Sequence, residues 1–173
     1  MRPIEACELP GQALLRRYSV DGAYADAYTT TIDGRVAHSA YVEAFYTTWL
    51  FKLERWLLAH LVARPSTDAQ ARELARGERT SCAAWEVEAT APDQLLLSEF
   101  RGRTRSWLMT EPDGAGTRLY FGSAVVAAVD RRTGERRLAF AYRALLGFHR
   151  MYSRALLGAA VRRLARNAID GQR

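Results

Sequence analysis

The chain has 173 residues, of which 49% are hydrophobic and 25% are charged, and its formal net charge is +6 at pH 7. This composition is typical of one globular domain that is large enough to bury its own core. It excludes a disulfide scaffold and a collagen-like or disordered chain, and the sequence has no run of about 18 apolar residues that would indicate a membrane-spanning helix.

Charge is distributed unevenly along the chain. From Asp130 to the C-terminus there are 11 Arg and three acidic residues, a net charge of +8, which leaves −2 for the preceding part. Basic segments of this kind contact nucleic acid, anionic membranes or acidic partners. They also form solvated helix faces, which is the commoner case, and we therefore expect no nucleic-acid partner.

The cysteines and the first residues indicate a compartment. Cys7 and Cys82 lie far apart and form no CxxC pair, which excludes a zinc ribbon and a thioredoxin motif. Two unlinked thiols fit a reducing environment. The first residues resemble no signal peptide, because they contain no apolar stretch. We predict a cytoplasmic protein without a transmembrane segment.

The first part of the chain predicts a strand and a long helix. Residues 24–32 (YADAYTTTI) are rich in Tyr and Thr, as strands are. Ser39 is a candidate N-cap for a helix over 40–62. Apolar residues surround that helix almost completely, which indicates that it is mostly buried.

A short helix and a series of strands follow. Thr67 and Gln70 form a capping-box signature for a helix over 68–76. Alternating apolar and polar residues with short turns then predict an antiparallel meander, and an apolar stripe predicts a final helix over 144–167. The predicted strands are 81–89, 94–100, 103–110, 117–129 and, as a strand or as the lead-in to the last helix, 136–142.

This order of elements predicts an α+β fold. A curved antiparallel sheet wraps around the long C-terminal helix, and two helices are inserted after the first strand. Residues 1–20 are expected to form an irregular lead-in, 21–168 the domain and 169–173 a tail. A helix that crosses a curved sheet leaves space for an internal, ligand-binding cavity.

The same order resembles the START-type helix-grip superfamily, also called SRPBCC. The segments AFYTTWLFKLERWLL, FRGRTRSWLM and TRLYFGSAVV are similar to those of uncharacterised bacterial members. The superfamily includes lipid-transfer domains, plant hormone-binding proteins and polyketide cyclases. The resemblance implies a hydrophobic ligand in an internal pocket, but a fold does not fix a reaction.

Lys52 is expected on the same face of the long helix as Trp49 and Trp56. Its amine is a candidate to pair with an anionic ligand group, to stack on the indoles or, when desolvated, to act as a nucleophile. In the alternative, the stem of Lys52 covers apolar surface while its amine reaches water. Glu54 is a further candidate acid or base.

Arg105 shares a strand face with Trp107 if the pleat is regular. Because Trp107 is expected in the core, the guanidinium of Arg105 is expected at the pocket wall, paired with a carboxylate of the ligand or the protein. In the alternative, Arg105 belongs to a Glu–Arg ladder on the solvent face. The candidate protein carboxylates are Glu86, Glu88 and Glu99.

Aromatic residues supply the remaining candidate ligand contacts. The alternative for each of them is packing in the core. Tyrosine hydroxyls at the cavity would orient a ligand. These candidates are Trp85, Trp107, Tyr120 and Tyr152.

His149 is a candidate general base, provided that another residue orients its imidazole. The alternative is a structural histidine with satisfied hydrogen bonds. His38 and His60 show no metal-ligand spacing, so we expect no metal site and no cofactor.

Three functions fit these observations. The first is binding of a small hydrophobic or amphipathic molecule in an internal cavity. The second is a cyclase- or dehydratase-like enzyme on the same scaffold, with Lys52, Glu54 or His149 as acid or base. The third is a basic adaptor that binds nucleic acid or an acidic surface through the last helix. A homodimer is compatible with each function.

Overall fold

The computed structural model describes residues 2–20, 24–53, 66–126, 128–129, 136–137 and 140–170. The strands are β1 (Glu5–Ala6), β2 (Tyr24–Ile32), β3 (Ser81–Cys82), β4 (Trp85–Ala91), β5 (Gln94–Glu99), β6 (Thr104–Asp113), β7 (Gly116–Val125), β8 (Ala128–Val129) and β9 (Arg136–Arg137). The helices are α1 (Arg16–Val20), α2 (His38–Tyr46), α3 (Asp68–Ala75) and α4 (Phe140–Asp170). Residues 49–53 are helical as well.

Seven strands form one antiparallel sheet in the order β1-β2-β7-β6-β5-β4-β3. The predicted meander is confirmed, because β3 to β7 follow one another both in the chain and in the sheet. β2 pairs with β7 along its whole length, from Tyr24 opposite Val125 to Ile32 opposite Thr117. After the helices the chain forms β3 at the far edge of the sheet. It then runs through β4, β5 and β6 to β7, which pairs with β2.

The predicted α+β architecture is confirmed. α2, the helical residues 49–53 and α3 stand between β2 and β3, and the curved sheet is followed by α4, which has 31 residues. α4 packs on α2 and contacts β2 and β7. No helix among the described residues is both long enough and apolar enough to span a bilayer.

The main core lies between the helices and one face of the sheet, which we call the inner face. Tyr41 and Phe45 of α2 are buried in this core. The centroids of the Phe45 and Phe121 rings lie 4.8 Å apart. The hydroxyl of Tyr41 donates to the carbonyl oxygen of Tyr120 at 3.0 Å, which satisfies the one polar atom of that side chain. Other large members are Tyr28, Tyr46, Phe51, Leu74, Leu95, Leu97, Leu108, Leu119, Leu157 and Val161.

A second, smaller core covers the outer face of the sheet. Trp107 is fully buried there against residues 7–18. Close approach requires the glycine at position 122, because a Cβ atom there would lie 2.8 Å from Cδ2 of Leu15 and 2.9 Å from Cε3 of Trp107. Residues 1–20, expected to be irregular, thus contain β1, α1 and a buried apolar patch. The domain boundaries at 21 and 168 stay a prediction.

The expected continuous helix over 40–62 is wrong at its centre, since the helix breaks at Thr47 and Thr48. The hydroxyl of Thr47 donates to the carbonyl oxygen of Glu43, and that of Thr48 donates to Phe45 and accepts from the backbone N–H of Phe51. Threonine hydroxyls compete in this way with the helical backbone. The part of the expected helix from 54 to 62 lies outside the described residues.

Of two other predicted elements, the strand over 81–89 differs in the structure and the capped helix is confirmed. The expected strand 81–89 is divided into β3 and β4, because Ala83 takes a positive φ of 54° and turns the chain. The capping box of Thr67 and Gln70 is confirmed, with both reciprocal hydrogen bonds present. Gly77, with a φ of 73°, follows α3 as expected of a residue that ends a helix.

The side chain of Gln94 holds residues 12–14 on the outer face of the sheet by hydrogen bonds. Its Oε1 accepts from the backbone N–H of Leu14 and from Nε1 of Trp107, both at 2.9 Å, and its Nε2 donates to the carbonyl oxygen of Gln12 at 3.1 Å. The bonds to Leu14 and Gln12 connect the lead-in to the sheet.

We expect Gln94→Leu to lower the free energy of unfolding by roughly 2–4 kcal/mol, because two donors lose their acceptor and the indole N–H is buried. Urea unfolding followed by tryptophan fluorescence measures the loss. Ser98→Ala on the same strand is the control, since among the described residues the Ser98 hydroxyl bonds to the adjacent Glu99 carbonyl and not to the lead-in. Equal stability of the two variants would contradict the anchoring role.

His38, the first residue of α2, makes the fold sensitive to acid. Burial lowers the pKa of His38 to about 4, against 6.5 in an unfolded chain, and Asp93 offsets this only in part. Between these values the unfolded chain binds more protons than the folded one, so stability falls as the pH falls from about 6.5 to about 4.

We therefore expect the wild-type protein to lose up to about 3 kcal/mol more than His38→Gln over that interval. Urea unfolding of both proteins at pH 7 and at pH 4 gives the difference. Parallel stability curves for the two proteins would show that His38 is not the cause.

Candidate functional site

A cavity of about 660 Å³ lies between the inner face of the sheet and α4. Its wall is almost entirely apolar and comes from the helical residues 49–53, the neighbouring ends of β6 and β7, and the middle of α4. The lining residues are Phe45, Leu50, Phe51, Leu53, Trp85, Thr104, Arg105, Ser106, Phe121, Ser123, Ala124, Val125, His149, Met151, Tyr152, Ser153, Ala155 and Leu156.

The cavity opens to solvent at one side. Leu53 and Met151 line it and yet are 48% and 62% exposed. They come from different elements, the helical residues 49–53 and α4, so the opening lies where these two elements meet. An open mouth with an apolar rim is compatible with passage of an apolar molecule.

Three polar side chains, Asp26, Ser123 and His149, form a connected cluster, and Ser123 and His149 line the cavity. Asp26 of β2 lies directly opposite Ser123 of β7 in the sheet, and His149 reaches them from α4. The Ser123 Oγ lies 2.7 Å from Asp26 Oδ1 and 2.7 Å from His149 Nε2. His149 Nε2 itself is 3.6 Å from Asp26 Oδ1.

Burial and hydrogen bonding determine the protonation states of Asp26 and of its neighbour Tyr28. Burial alone would raise the pKa of the Asp26 carboxyl, but hydrogen bonds from His149 and Ser123 and the imidazole charge outweigh it, and the pKa is lowered. Burial and the Asp26 carboxylate raise the pKa of Tyr28, whose hydroxyl donates to Asp26 Oδ2. Asp26 is thus an anion and Tyr28 a neutral donor near neutral pH.

The tautomer of His149 follows from a count of hydrogens. A hydroxyl has a single hydrogen, so when Ser123 donates it to Asp26, the bond between Ser123 and His149 must be donated by Nε2–H. In a neutral imidazole the lone pair would then lie on Nδ1. A carboxylate that fixes the orientation and tautomer of an imidazole is the arrangement that acid–base catalysis requires.

Other polar atoms of the cavity wall differ in whether they have partners. Ser106 Oγ shares a hydrogen bond of 3.1 Å with the hydroxyl of Tyr46. Nε1 of Trp85 and Oγ of Ser153 are buried and have no hydrogen-bond partner among the described residues. The lining therefore combines an apolar surface with a few polar positions.

The structure brings four of the predicted site residues to the cavity. Trp85, Arg105, His149 and Tyr152 line it. Trp49 belongs to the helical residues 49–53 but is 68% exposed. Trp56 and Glu54 lie outside the described residues.

Lys52 is exposed rather than buried among the indoles. Its Nζ forms an ion pair with Asp68, the first residue of α3, and 44% of the side chain is accessible. A desolvated amine in the cavity was the condition for a nucleophilic role, and this exposure does not meet it. The pair instead connects the helical residues 49–53 to α3.

Arg105, Trp107 and Tyr120 have their side chains on the outer face. The guanidinium of Arg105 bonds to Glu88, to the Tyr18 hydroxyl and to the Gly102 carbonyl, although the residue also lines the cavity. Glu88, one of the three predicted protein partners, is its carboxylate. The shared face of Arg105 and Trp107 was correctly expected, but that face belongs to the second core and not to the cavity.

Sequence reasoning missed Asp26, Ser123 and Ser153. Asp is uncommon inside strands, so Asp26 within YADAYTTTI was a usable signal of a special position. Ser123 and Ser153 carried no such signal, because serine occurs widely in strands and helices. Only the register of β2 with β7 and the packing of α4 bring these residues together.

The described residues include no group of three or more His, Cys, Asp or Glu side chains that could hold a metal ion. The expectation of no metal and no cofactor remains a prediction. Of the two cysteines, Cys7 is half-buried and Cys82 is buried.

No family model and no curated protein matches the chain. The crystal structure of CalU16 from Micromonospora echinospora is 13% identical and has a TM-score of 0.31, with 85% of this chain and 87% of that one covered. Protein Ms6760 from Mycobacterium smegmatis is 10% identical and has a TM-score of 0.35, with 80% and 87% covered. These values assign no family, ligand or activity, so membership of the helix-grip superfamily stays a prediction.

Proposed function

We propose that this chain binds a small apolar or amphipathic organic molecule in the cavity between the sheet and α4. The observation that carries the proposal is the cavity itself, which has a volume of about 660 Å³ and an almost wholly apolar wall. Ligand sites typically occupy about 300–1,000 Å³ and combine an apolar lining with a few polar groups. The cluster of Asp26, Ser123 and His149 supplies such polar groups here.

The lining explains why the ligand would be mainly apolar. Phe121 and Leu156 line the wall and are themselves buried in the main core, so a polar ligand would lose its hydration without replacement. An apolar ligand gains roughly 25 cal/mol for each Å² of surface that it removes from water. The exposed rim at Leu53 and Met151 gives such a molecule a route to the interior.

A thermal-shift screen with dodecanoic acid, farnesol and 9-fluorenone tests the proposal. A ligand at about 100 times its dissociation constant adds about 2.7 kcal/mol to the free energy of unfolding. For a chain of this length that corresponds to roughly 5–10 °C in Tm. We expect at least one of these probes to raise Tm by that amount.

A matched pair of variants tests whether the shift arises in the cavity. Ala155 is exposed and lines the cavity, whereas Ala40 is exposed on α2 and does not. We expect Ala155→Trp to fill the mouth and abolish the shift, while Ala40→Trp retains it. An equal shift in both variants, or no shift with any probe in the wild-type protein, would refute binding in this cavity.

A second candidate function is acid–base catalysis on a ligand in the same cavity. The observation that favours it is the position of His149. This residue lines the cavity, and its Nε2 lies 3.6 Å from Oδ1 of Asp26. Among the three predicted acid–base candidates, Lys52 is ion-paired and exposed, and Glu54 is not described. The third function, a basic adaptor, gains no comparable observation and stays a prediction.

Hydrogen exchange of a ketone tests this candidate. We expect the protein to accelerate deuterium uptake at the α-carbon of 2-tetralone in D₂O, because a positioned base removes that proton and solvent deuterium replaces it. His149→Gln and Asp26→Asn should each reduce the acceleration by about 10²-fold or more, and Ser106→Ala should not. Mass spectrometry measures the uptake, and a rate equal to that of buffer would exclude the candidate.

A further inference from the structure

A groove of about 700 Å³ lies between the edge of β2 and α4. Its described lining comes from residues 6–7 and 24–28 and from three residues of α4. Asp26 lines this groove, whereas Ser123 and His149, the other members of the polar cluster, line the cavity. The groove is therefore adjacent to the cavity but has its own wall, and that wall carries more polar and charged groups.

The groove follows a part of β2 that extends beyond β1. The two strands pair at Tyr28 and Thr29, and the backbone N–H of Cys7 donates to the carbonyl oxygen of Ala27 just past that pair. In an antiparallel strand, alternate residues bond to the same neighbouring strand. The backbone N–H of Ala25 therefore points, like the carbonyl of Ala27, away from β7 and toward the groove that Ala25 lines.

Two arginines of α4 supply the positive charge of the groove. Arg150 and Arg154 are exposed and lie four residues apart, so they project from the same side of the helix. Nε of Arg150 donates to the Tyr24 hydroxyl at 3.4 Å, and the Arg154 guanidinium lies 5.5 Å from the ring centroid of Tyr28. Neither arginine forms an ion pair with a carboxylate of the described residues, so each retains N–H donors for a ligand.

The charges of the groove favour a monoanion. Its described charged residues are Arg150, Arg154 and Asp26, which give a net charge of +2 − 1 = +1. Both oxygens of Asp26 already accept hydrogen bonds, Oδ1 from Ser123 and Oδ2 from Tyr28. A single carboxylate would neutralise the remaining charge, and its two oxygens match the paired N–H groups of a guanidinium.

We propose that this groove is a second binding site and that it takes a small organic carboxylate. The carboxylate would accept hydrogen bonds from Arg150, Arg154 and the backbone N–H of Ala25. A volume of about 700 Å³ exceeds what a carboxylate group alone requires, so the anion carries an organic body. The site does not depend on what the apolar cavity binds.

Titration of the ¹⁵N-labelled protein with sodium benzoate, followed by ¹H–¹⁵N NMR, tests the inference. We expect saturable shifts of the Ala25 amide and of the Nε–H signals of Arg150 and Arg154. Benzyl alcohol, which has nearly the same shape but no charge, should leave these signals unchanged at the same concentrations. The amides of Ser106 and Leu156 report on the cavity in the same spectra.

A pair of double variants provides the matched comparison. We expect Arg150→Gln/Arg154→Gln to raise the dissociation constant of benzoate, measured at the Ala25 amide, by about tenfold. Arg162→Gln/Arg166→Gln makes the same change of charge at the same spacing on α4, at exposed positions outside the groove, and should keep the wild-type constant. The single variant Arg150→Gln leaves the contact of Arg154 with Tyr28 intact and should raise the constant by about threefold.

The outcomes separate this site from the cavity. Equal constants for the two double variants would overturn the inference, because the effect would then be one of total charge. Benzoate shifts confined to the amides of Ser106 and Leu156 would also overturn it, while supporting binding in the cavity. Shifts at the groove without any at the cavity would support this site whatever the fate of the proposed function.

Discussion

The pairing of β2 with β7 is the constraint on which the rest of the structure depends. It joins a strand near the start of the chain to one almost a hundred residues later, in an unbroken register of nine pairs. That register places Asp26 opposite Ser123 and directs both toward α4, where His149 meets them. A slip of β2 by one residue would turn Asp26 to the outer face, away from Ser123, and break the polar cluster.

The sheet is buried on both faces at its centre, and this determines where the cavity can form. Leu95 and Leu97 of β5 belong to the main core, while Leu96 between them packs under the lead-in. The outer face is closed by short contacts through Gln94 and by the ion pair of Arg105 with Glu88. The cavity lies on the inner face, where the helices meet the ends of β6 and β7.

Much of the fold follows from local signals in the sequence, whereas the composition of the site does not. Period-two alternation and turn residues located the meander, and Thr67 with Gln70 located the start of α3. The pattern of apolar residues did not reveal the break at Thr47 and Thr48, because hydroxyl–carbonyl bonds ended the helix without changing its apolar face.

Non-local packing explains why some predicted site residues lie away from the cavity. Trp107 was a candidate ligand contact, with packing in the core as the alternative. It packs in the second core, and the lead-in that forms this core has no periodic pattern of its own. The same packing limits how the sequence can diverge. A Cβ atom at position 122 would lie 2.8 Å from Leu15 and 2.9 Å from Trp107, so a homologous chain with a side chain in place of Gly122 must make room at both of these positions. Covariation among these three sites would therefore record the attachment of the lead-in to the sheet.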